Sequence, residues 1–374
     1  MSLILGYILP FLAILTVLVF VHEMGHFWVA RRCGVKVEVF SIGFGPELFG
    51  WNDRHGTRWR FSAIPLGGYV RMFGDAGAAS NPGRDLDAMS PEDRARSFHH
   101  KGLAQRAAVV AAGPAANFLL AIILGAGLFM TAGRPFTPPE VGMVMPDSPA
   151  EAAGLRPGDV IVKLDGASID RFEDIQRIVQ LNPQVPLQIL VDRDGSPVSM
   201  TVTPAMQEQV DRFGNTHRFG QLGIARGGLE VVRLGPLEAV GAAVENTITM
   251  SATILKVVWQ MIVGARSADE LGGVARIAHL SGEVTQVGIV AVVNFMMLLS
   301  INLGLINLFP VPMLDGGHLM FYAVEAIRGR PMGERAQEYG FRIGFGLVLA
   351  LMLFATWNDL VYFRVVDFVR QIAS

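Results

Sequence analysis

Four stretches of this chain are apolar and sparsely charged over a length that can cross a bilayer, and nothing else in the sequence narrows the fold as much. The first runs from the N-terminus to Val21 without a charge; the second lies between Arg106 and Arg134. The third lies between Glu283 and Asp315, and the fourth follows Arg342 to about Phe363. A helical crossing takes about 20 apolar residues, because hydrocarbon offers a broken backbone no hydrogen-bond partners. Composition agrees: 17% of residues are charged and 51% hydrophobic, with a mean hydropathy of +0.40, whereas soluble domains carry about a quarter charged residues. The expected fold class is a polytopic α-helical membrane protein with four transmembrane helices.

A net charge of −2 gives nucleic acid no electrostatic footing, so that class of partner is set aside. Cys33, the single cysteine, excludes an intrachain disulfide and reads as an incidental thiol beside Arg31 and Arg32. The first apolar run has neither a basic leader nor a small-residue cleavage site, so it is expected to remain in the mature protein.

Short basic loops set the orientation. Arg31, Arg32 and Lys36 follow the first span, Lys101 and Arg106 precede the second, and Arg328, Arg330, Arg335 and Arg342 lie between the third and fourth. The positive-inside rule then puts residues 28–104 and 311–340 in the cytoplasm, with 133–283 and both termini outside. The segments divide as 1–132, 133–228, 229–283 and 284–374. Residues 237–263 are apolar enough to pass for a fifth span. However, Glu238, Glu245, Thr249, Lys256 and Gln260 recur at helical spacing opposite Leu237, Val240, Val244, Ile248, Leu255, Val258 and Ile262. That pattern predicts an amphipathic helix lying in the outer membrane interface.

Polar chemistry interrupts the first span at HEMGH, residues 22–26. On a helix, positions i and i+4 share a face, so His22 and His26 can hold one zinc ion and leave Glu23 to act on water. Ionisable groups inside a span are costly and by default mark function. A catalytic zinc needs a third ligand, and "NLFPVPMLDGGH" (307–318) supplies Asp315 in what should be irregular backbone after Pro310 and Pro312. His318 and Glu325 are rivals for that place. The His pair lies at the cytoplasmic end of its span, so Asp315 reaches it only if residues 237–263 do not cross. Asn307 and Asn117 complete the constellation; each is a donor for a developing oxyanion or simply holds helices together.

Between the second and third spans, residues 140–204 read as a small β-rich domain, with strands at 140–145, 159–166, 187–195 and 198–204 and short helices from 148 and at 170–180. Its run "SPAEAAGLRPGDVIVKLDG" resembles PDZ domains of the bacterial protease type. With HEMGH, "AAGPAAN" (111–117) and "NLFPVPMLDGGH", the whole chain resembles the bacterial site-2 protease family, specifically the regulator of sigma-E protease group of intramembrane zinc metalloproteases. It departs from the best-known enterobacterial form, which has two PDZ domains in tandem where this chain has room for one.

The resemblance implies zinc bound by His22, His26 and Asp315, with Glu23 as acid/base and Asn307 assisting. It also implies that "SIGFG" and "IPLGGYVRM" form a membrane-associated β-hairpin. There Gly67, Gly68, Tyr69 and Val70 would pair with an unwound substrate. The implied substrates are single-pass membrane proteins already trimmed outside the bacterial inner membrane, such as an anti-sigma factor, or remnant signal peptides. An extended or C-terminal peptide is the implied ligand of the PDZ domain. A membrane scaffold with a structural metal and a metal transporter remain as alternatives; the intact Glu23 argues against the first, and a site at one membrane face against the second.

Overall fold

The computed structural model describes residues 4–75, 89–210, 216–228, 230–264, 267–268 and 271–363. A short π-turn at Ile4–Ile8 leads into α1 (Leu9–Arg32), followed by β1 (Val37–Asn52), β2 (Arg58–Met72), α2 (Pro91–Arg96) and α3 (Leu103–Thr131). Short elements come next: β3 (Arg134–Phe136), β4 (Val141–Val144), α4 (Pro149–Ala152), β5 (Val160–Leu164), β6 (Ala167–Ser168) and α5 (Phe172–Leu181). Six strands follow: β7 (Leu187–Arg193), β8 (Ser196–Val202), β9 (Ala205–Val210), β10 (Thr216–Gln221), β11 (Ile224–Arg226) and β12 (Glu230–Val232). Then come α6 (Pro236–Ile262), α7 (Val274–Val287), α8 (Ile289–Leu308), α9 (Asp315–Arg328) and α10 (Glu334–Tyr362). The chain divides into two compact units, Met1–Leu128 with Pro236–Ser374, and Phe129–Gly235.

In the first unit, four helices are long and apolar enough to cross a membrane: Ile4–Arg32, Leu103–Thr131, Ile289–Leu308 and Arg335–Tyr362. They are the four runs expected from sequence. Helix α1 does not stop with the apolar run at Val21 but carries HEMGH as regular helix to Arg32, since no breaker intervenes before Gly34 (φ 69°). Gly288 (φ 128°) separates α7 from α8. Small residues set the helix contacts. A Cβ on Gly25 would strike Ala112 O and, at 2.8 Å, Ala116 Cβ; one on Gly304 would meet Phe118 at 3.2 Å and Pro114 O at 3.3 Å. Lipid offers helices no hydrophobic reason to associate, so close backbone approach supplies the dispersion that holds them.

The helix expected at 237–263 is present as α6, but its buried side is neither face read from the sequence. Leu237, Val240, Ile248, Leu255 and Ile262 are exposed, and so are Glu238, Glu245 and Lys256. The buried residues are Ala239, Ala242, Ala243 and Thr247. A Cβ on Gly125 of α3 would touch both Ala243 and Met297 of α8, and Met250 and Ile254 pack on Ala121, Met297, Ile301 and Leu305. Ranking residues by apolarity overlooks this side, because helices approach most closely where side chains are smallest. At its far end, α7 is capped from α10: the Asp359 carboxylate accepts from the amides of Gly273 (2.8 Å), Ala275 (3.0 Å) and Arg276 (3.1 Å).

Strands β1 and β2 fold into more than a simple hairpin. Residues 37–42 of β1 pair on one side with 68–72 and on the other with 58–61, while 47–52 pair with 58–62. Positive-φ glycines make the bends, Gly43 (89°) and Gly45 (86°) in β1 and Gly67 (135°) in β2. The result is a small antiparallel sheet in which residues 68–72 form one edge. Phe40, Val70 and Met72 pack with Phe27 and Ala30 of α1 and Val109 and Val110 of α3, so this sheet is fastened to the helices that carry the site.

In the second unit, a four-stranded sheet of order β6-β5-β7-β8 packs with α5 over Ile161, Leu164, Phe172, Ile175, Val179, Leu187, Ile189 and Val191. The expected strands and both short helices are there. The domain also extends past residue 204: β11 pairs antiparallel with β4, so a strand from the end of the segment completes one begun at its start. Three residues flanked by glycines carry no strand signal strong enough to read from sequence. Strands β3 and β12 pair where the chain enters and leaves the unit.

Candidate metal centre

Helix α1 places His22 and His26 one turn apart, buried to 7% and 8% exposure. Each imidazole is held from behind by α3. His26 Nδ1 lies 2.9 Å from the Val109 carbonyl oxygen, to which it donates, and His22 Nδ1 lies 2.9 Å from the side-chain amide of Asn117. Both Nε2 atoms therefore face forward, 3.2 Å from each other. Asp315 Oδ2 completes a triangle at 3.1 Å from His22 Nε2 and 3.5 Å from His26 Nε2. Gly113 is what lets α3 come so near; a Cβ there would meet His26 Nε2 and Cε1 and His22 Cε1.

The three donors fit a zinc ion. Ligand atoms about 2.0–2.1 Å from a tetrahedral zinc stand about 3.3 Å apart, and the three separations bracket that value. Asp315 Oδ2 is buried with no hydrogen-bond partner, an arrangement that costs stability unless a cation receives it. Among the described residues this is the one cluster of three or more His, Cys, Asp or Glu side chains that converges on such a point. Asn117 Oδ1 is likewise buried and unpartnered. A half-turn of that amide would aim its oxygen at His22 Nδ1–H, the tautomer that leaves Nε2 free for a metal.

Asp315 is not in irregular backbone, as the two prolines suggested, but is the first residue of α9. The irregular turn precedes it at Phe309–Leu314, with Met313 at φ 95°. A carboxylate in a first helical turn also faces the positive end of the helix dipole. The rivals fall away: Glu325 is committed to Arg106 at 2.5 Å, and His318 lies on the cavity wall outside the triangle.

A cavity of about 210 Å³ opens in front of the triangle, lined by Glu23, Asn307, Phe44, Gly68, Tyr69, Val70 and Met313 as well as the three donors. Val70 lines the cavity beside Glu23, and a Cβ on Gly68 would come within 3.5 Å of Glu23 Cγ. The sheet edge thus runs directly over the acid. Gly67 does not line the cavity; its positive φ turns the strand so that Gly68 can. Asn117, expected to touch substrate, is fully buried behind His22, where it orients the ligand. Two contributors escaped the sequence reading. Gly113 carries a signal only in hindsight, as a glycine one turn before Asn117, and Arg60, which hydrogen-bonds Tyr69 Oη across the sheet, carries none.

The model of the family described as Peptidase family M50 matches residues 10–351. The chain belongs to peptidase family M50. A Rhizobium meliloti protein named "Putative zinc metalloprotease" is 50% identical over 362 residues, covering 95% of this chain and 97% of its own. Metalloprotease MmpA of Caulobacter vibrioides is 41% identical over 383 residues, covering 96% of each. Among solved structures, the PDZ domain of an SdrC-like protein from Listeria innocua is 19% identical. It covers 25% of this chain and 98% of its own at a TM-score of 0.20, a likeness too slight to add to the topology described above. Family and donor set agree on a metalloprotease.

Proposed function

We propose that this M50 peptidase is an intramembrane zinc endopeptidase that cuts single-pass membrane proteins within or beside their transmembrane segments. The observation that carries the reading is the edge strand Gly68–Val70 lying over Glu23 in the same cavity as His22, His26 and Asp315. A helical substrate hides its carbonyls in hydrogen bonds. Pairing with a free strand edge holds a stretched segment in the one form whose amides can be attacked.

His22, His26 and Asp315 would hold the zinc, which when bound polarises the scissile carbonyl and acidifies water. Glu23 takes the proton from the attacking water and passes it to the departing amine nitrogen. Asn307 donates to the carbonyl oxygen as that atom gains negative charge. The basic loops argue for a site near the cytoplasmic face of a bacterial inner membrane, with the Phe129–Gly235 unit and both termini outside. In that unit, a groove of about 190 Å³ between one face of α5 (Phe172, Ile175, Gln176, Val179) and Gly220–Ile224 suits an extended or C-terminal peptide. Anti-sigma factors trimmed by an earlier outer cut are the substrates the resemblance favours, with remnant signal peptides second.

Glu23→Gln should retain zinc and fold while abolishing cleavage of a co-expressed transmembrane substrate. Undiminished cleavage by that variant would sink the reading of Glu23 as the acid/base of this site.

A further inference from the structure

Helix α10 is exposed along most of its length; among its described residues only Gly344, Asn358 and Asp359 are buried. Asp359 caps α7, and the Asn358 amide donates to the carbonyls of Ala268 and Leu271 just before it. Gly344 is a separate point of contact, and what it touches is the turn leading to the third metal ligand. A Cβ on Gly344 would overlap Pro312 O and come within 2.7 Å of Pro312 C and 3.0 Å of Pro312 Cβ. One turn earlier, a Cβ on Gly340 would meet the Phe321 ring of α9 at 2.9 Å and Pro312 Cγ at 3.7 Å. Between them, Phe341 sets its ring against His318 (5.4 Å) and Phe321 (5.9 Å).

Gly317 of α9 also meets Pro312; its added Cβ would lie 2.6 Å from Pro312 Cα. Pro312 therefore touches two glycine backbones, one on each helix. The next residue, Met313, has φ 95°, a conformation costly for a methionine that persists only when its surroundings enforce it. Leu314 N–H returns to Val311 O at 3.0 Å, and Asp315 follows. From Pro312 to Asp315 the turn has little freedom to absorb a shift.

We infer that Gly344, with Gly340, forms a seat on α10 that holds the Pro312 turn and so sets where Asp315 Oδ2 meets the two imidazoles. Gly344 is a positioning residue for the metal centre and touches neither substrate nor metal. The inference rests on the zinc-site reading above and does not depend on which peptides are cut. Neither glycine belongs to the HEMGH or NLFPVPMLDG segments, and no pattern of spacing links residue 344 to residue 315.

The test uses the full-length protein in detergent, loaded with zinc or with cobalt as a spectroscopic stand-in. Gly344→Ala should lose zinc to a chelator about 10–100-fold faster than the parent, the range seen when support of a metal ligand is removed. Its cobalt absorption bands should shift, a change in the metal site that the lowered melting temperature brought by overpacking would not by itself produce. Gly346→Ala, where a Cβ meets nothing within 4 Å, serves as the unaffected control. Gly340→Ala should show a milder form of the defect, and Phe321→Leu should rescue it by removing the ring end it strikes. Phe321→Leu should not rescue Gly344→Ala, which meets backbone. Parent-like zinc loss and cobalt bands in Gly344→Ala would overturn the inference. Should that variant not fold, failure of Phe321→Leu to restore zinc retention to Gly340→Ala would overturn it instead. Cleavage by Glu23→Gln would refute the catalytic role proposed for Glu23 and leave these metal measurements standing.

Discussion

Gly113→Ala tests the metal centre from the α3 side, where the added methyl would press on the donor atom His26 Nε2 itself. The added methyl would stand 2.5 Å from His26 Cε1 and 2.9 Å from His22 Cε1, where carbon atoms prefer about 3.5–4.0 Å. The rings, or the helices, must therefore give by about 1 Å and 0.6 Å respectively. Separating the helices is resisted, because Gly25 already lets α1 rest on Ala112 and Ala116 of α3. Overpacking of that kind costs about 1–3 kcal/mol. Tilting the rings breaks the hydrogen bonds to Val109 and Asn117 and moves the Nε2 atoms several times further than the ~0.2 Å a metal site tolerates.

Either response opens the donor triangle. The expected outcome is zinc affinity lowered about 10–100-fold, equivalent to about 1.4–2.8 kcal/mol. The assay is competition for zinc against a graded series of chelators on the purified full-length protein, run beside Gly127→Ala in the same helix, where a Cβ meets nothing within 4 Å. Gly113→Ala with parent zinc affinity would refute the packing argument and imply that the imidazoles stand further from α3 than described.

Two further outcomes follow from the same structure. Asn117→Ala should weaken zinc binding about 10–100-fold, and Asn117→Asp, which still offers His22 Nδ1–H an acceptor, should lose less; equal losses would mean that the amide does not set the tautomer. In the Phe129–Gly235 unit, Asp159 accepts from Arg193 Nε (2.7 Å) and Nη2 (2.8 Å), and these bonds, outweighing the opposing effect of burial, hold its carboxyl below the ordinary value of 3.8. A group depressed on folding adds stability that is complete above the unfolded pKa and lost as pH falls through the folded one. Acid below about pH 4 should thus loosen the β5 end of that unit, and Asp159→Asn should flatten the dependence, as read by hydrogen exchange at residues 156–164 of the full chain between pH 3 and 6.

Much of this protein was legible along the chain because the relevant physics is local. Bilayer thickness sets the length of an uncharged run, so the four spans could be read, and the helical repeat put His22 and His26 on one face wherever that helix went. The strands of the 140–204 region alternate against one core and were legible for the same reason. Tertiary structure alone decided the remainder. That Asp315 and neither His318 nor Glu325 closes the triangle depends on Arg106 claiming Glu325 and on how α9 starts after the Pro312 turn. The choice of Ala239, Ala242, Ala243 and Thr247 as the packed side of α6 was made by the closeness of α3 and α8, which no residue of α6 encodes by itself. Asn117 moved from substrate contact to ligand support because Gly113 lets α3 lie flat against the imidazoles. In each case the deciding quantity is the distance between two backbones far apart in sequence, and a glycine at the crossing records that distance only once both partners are known.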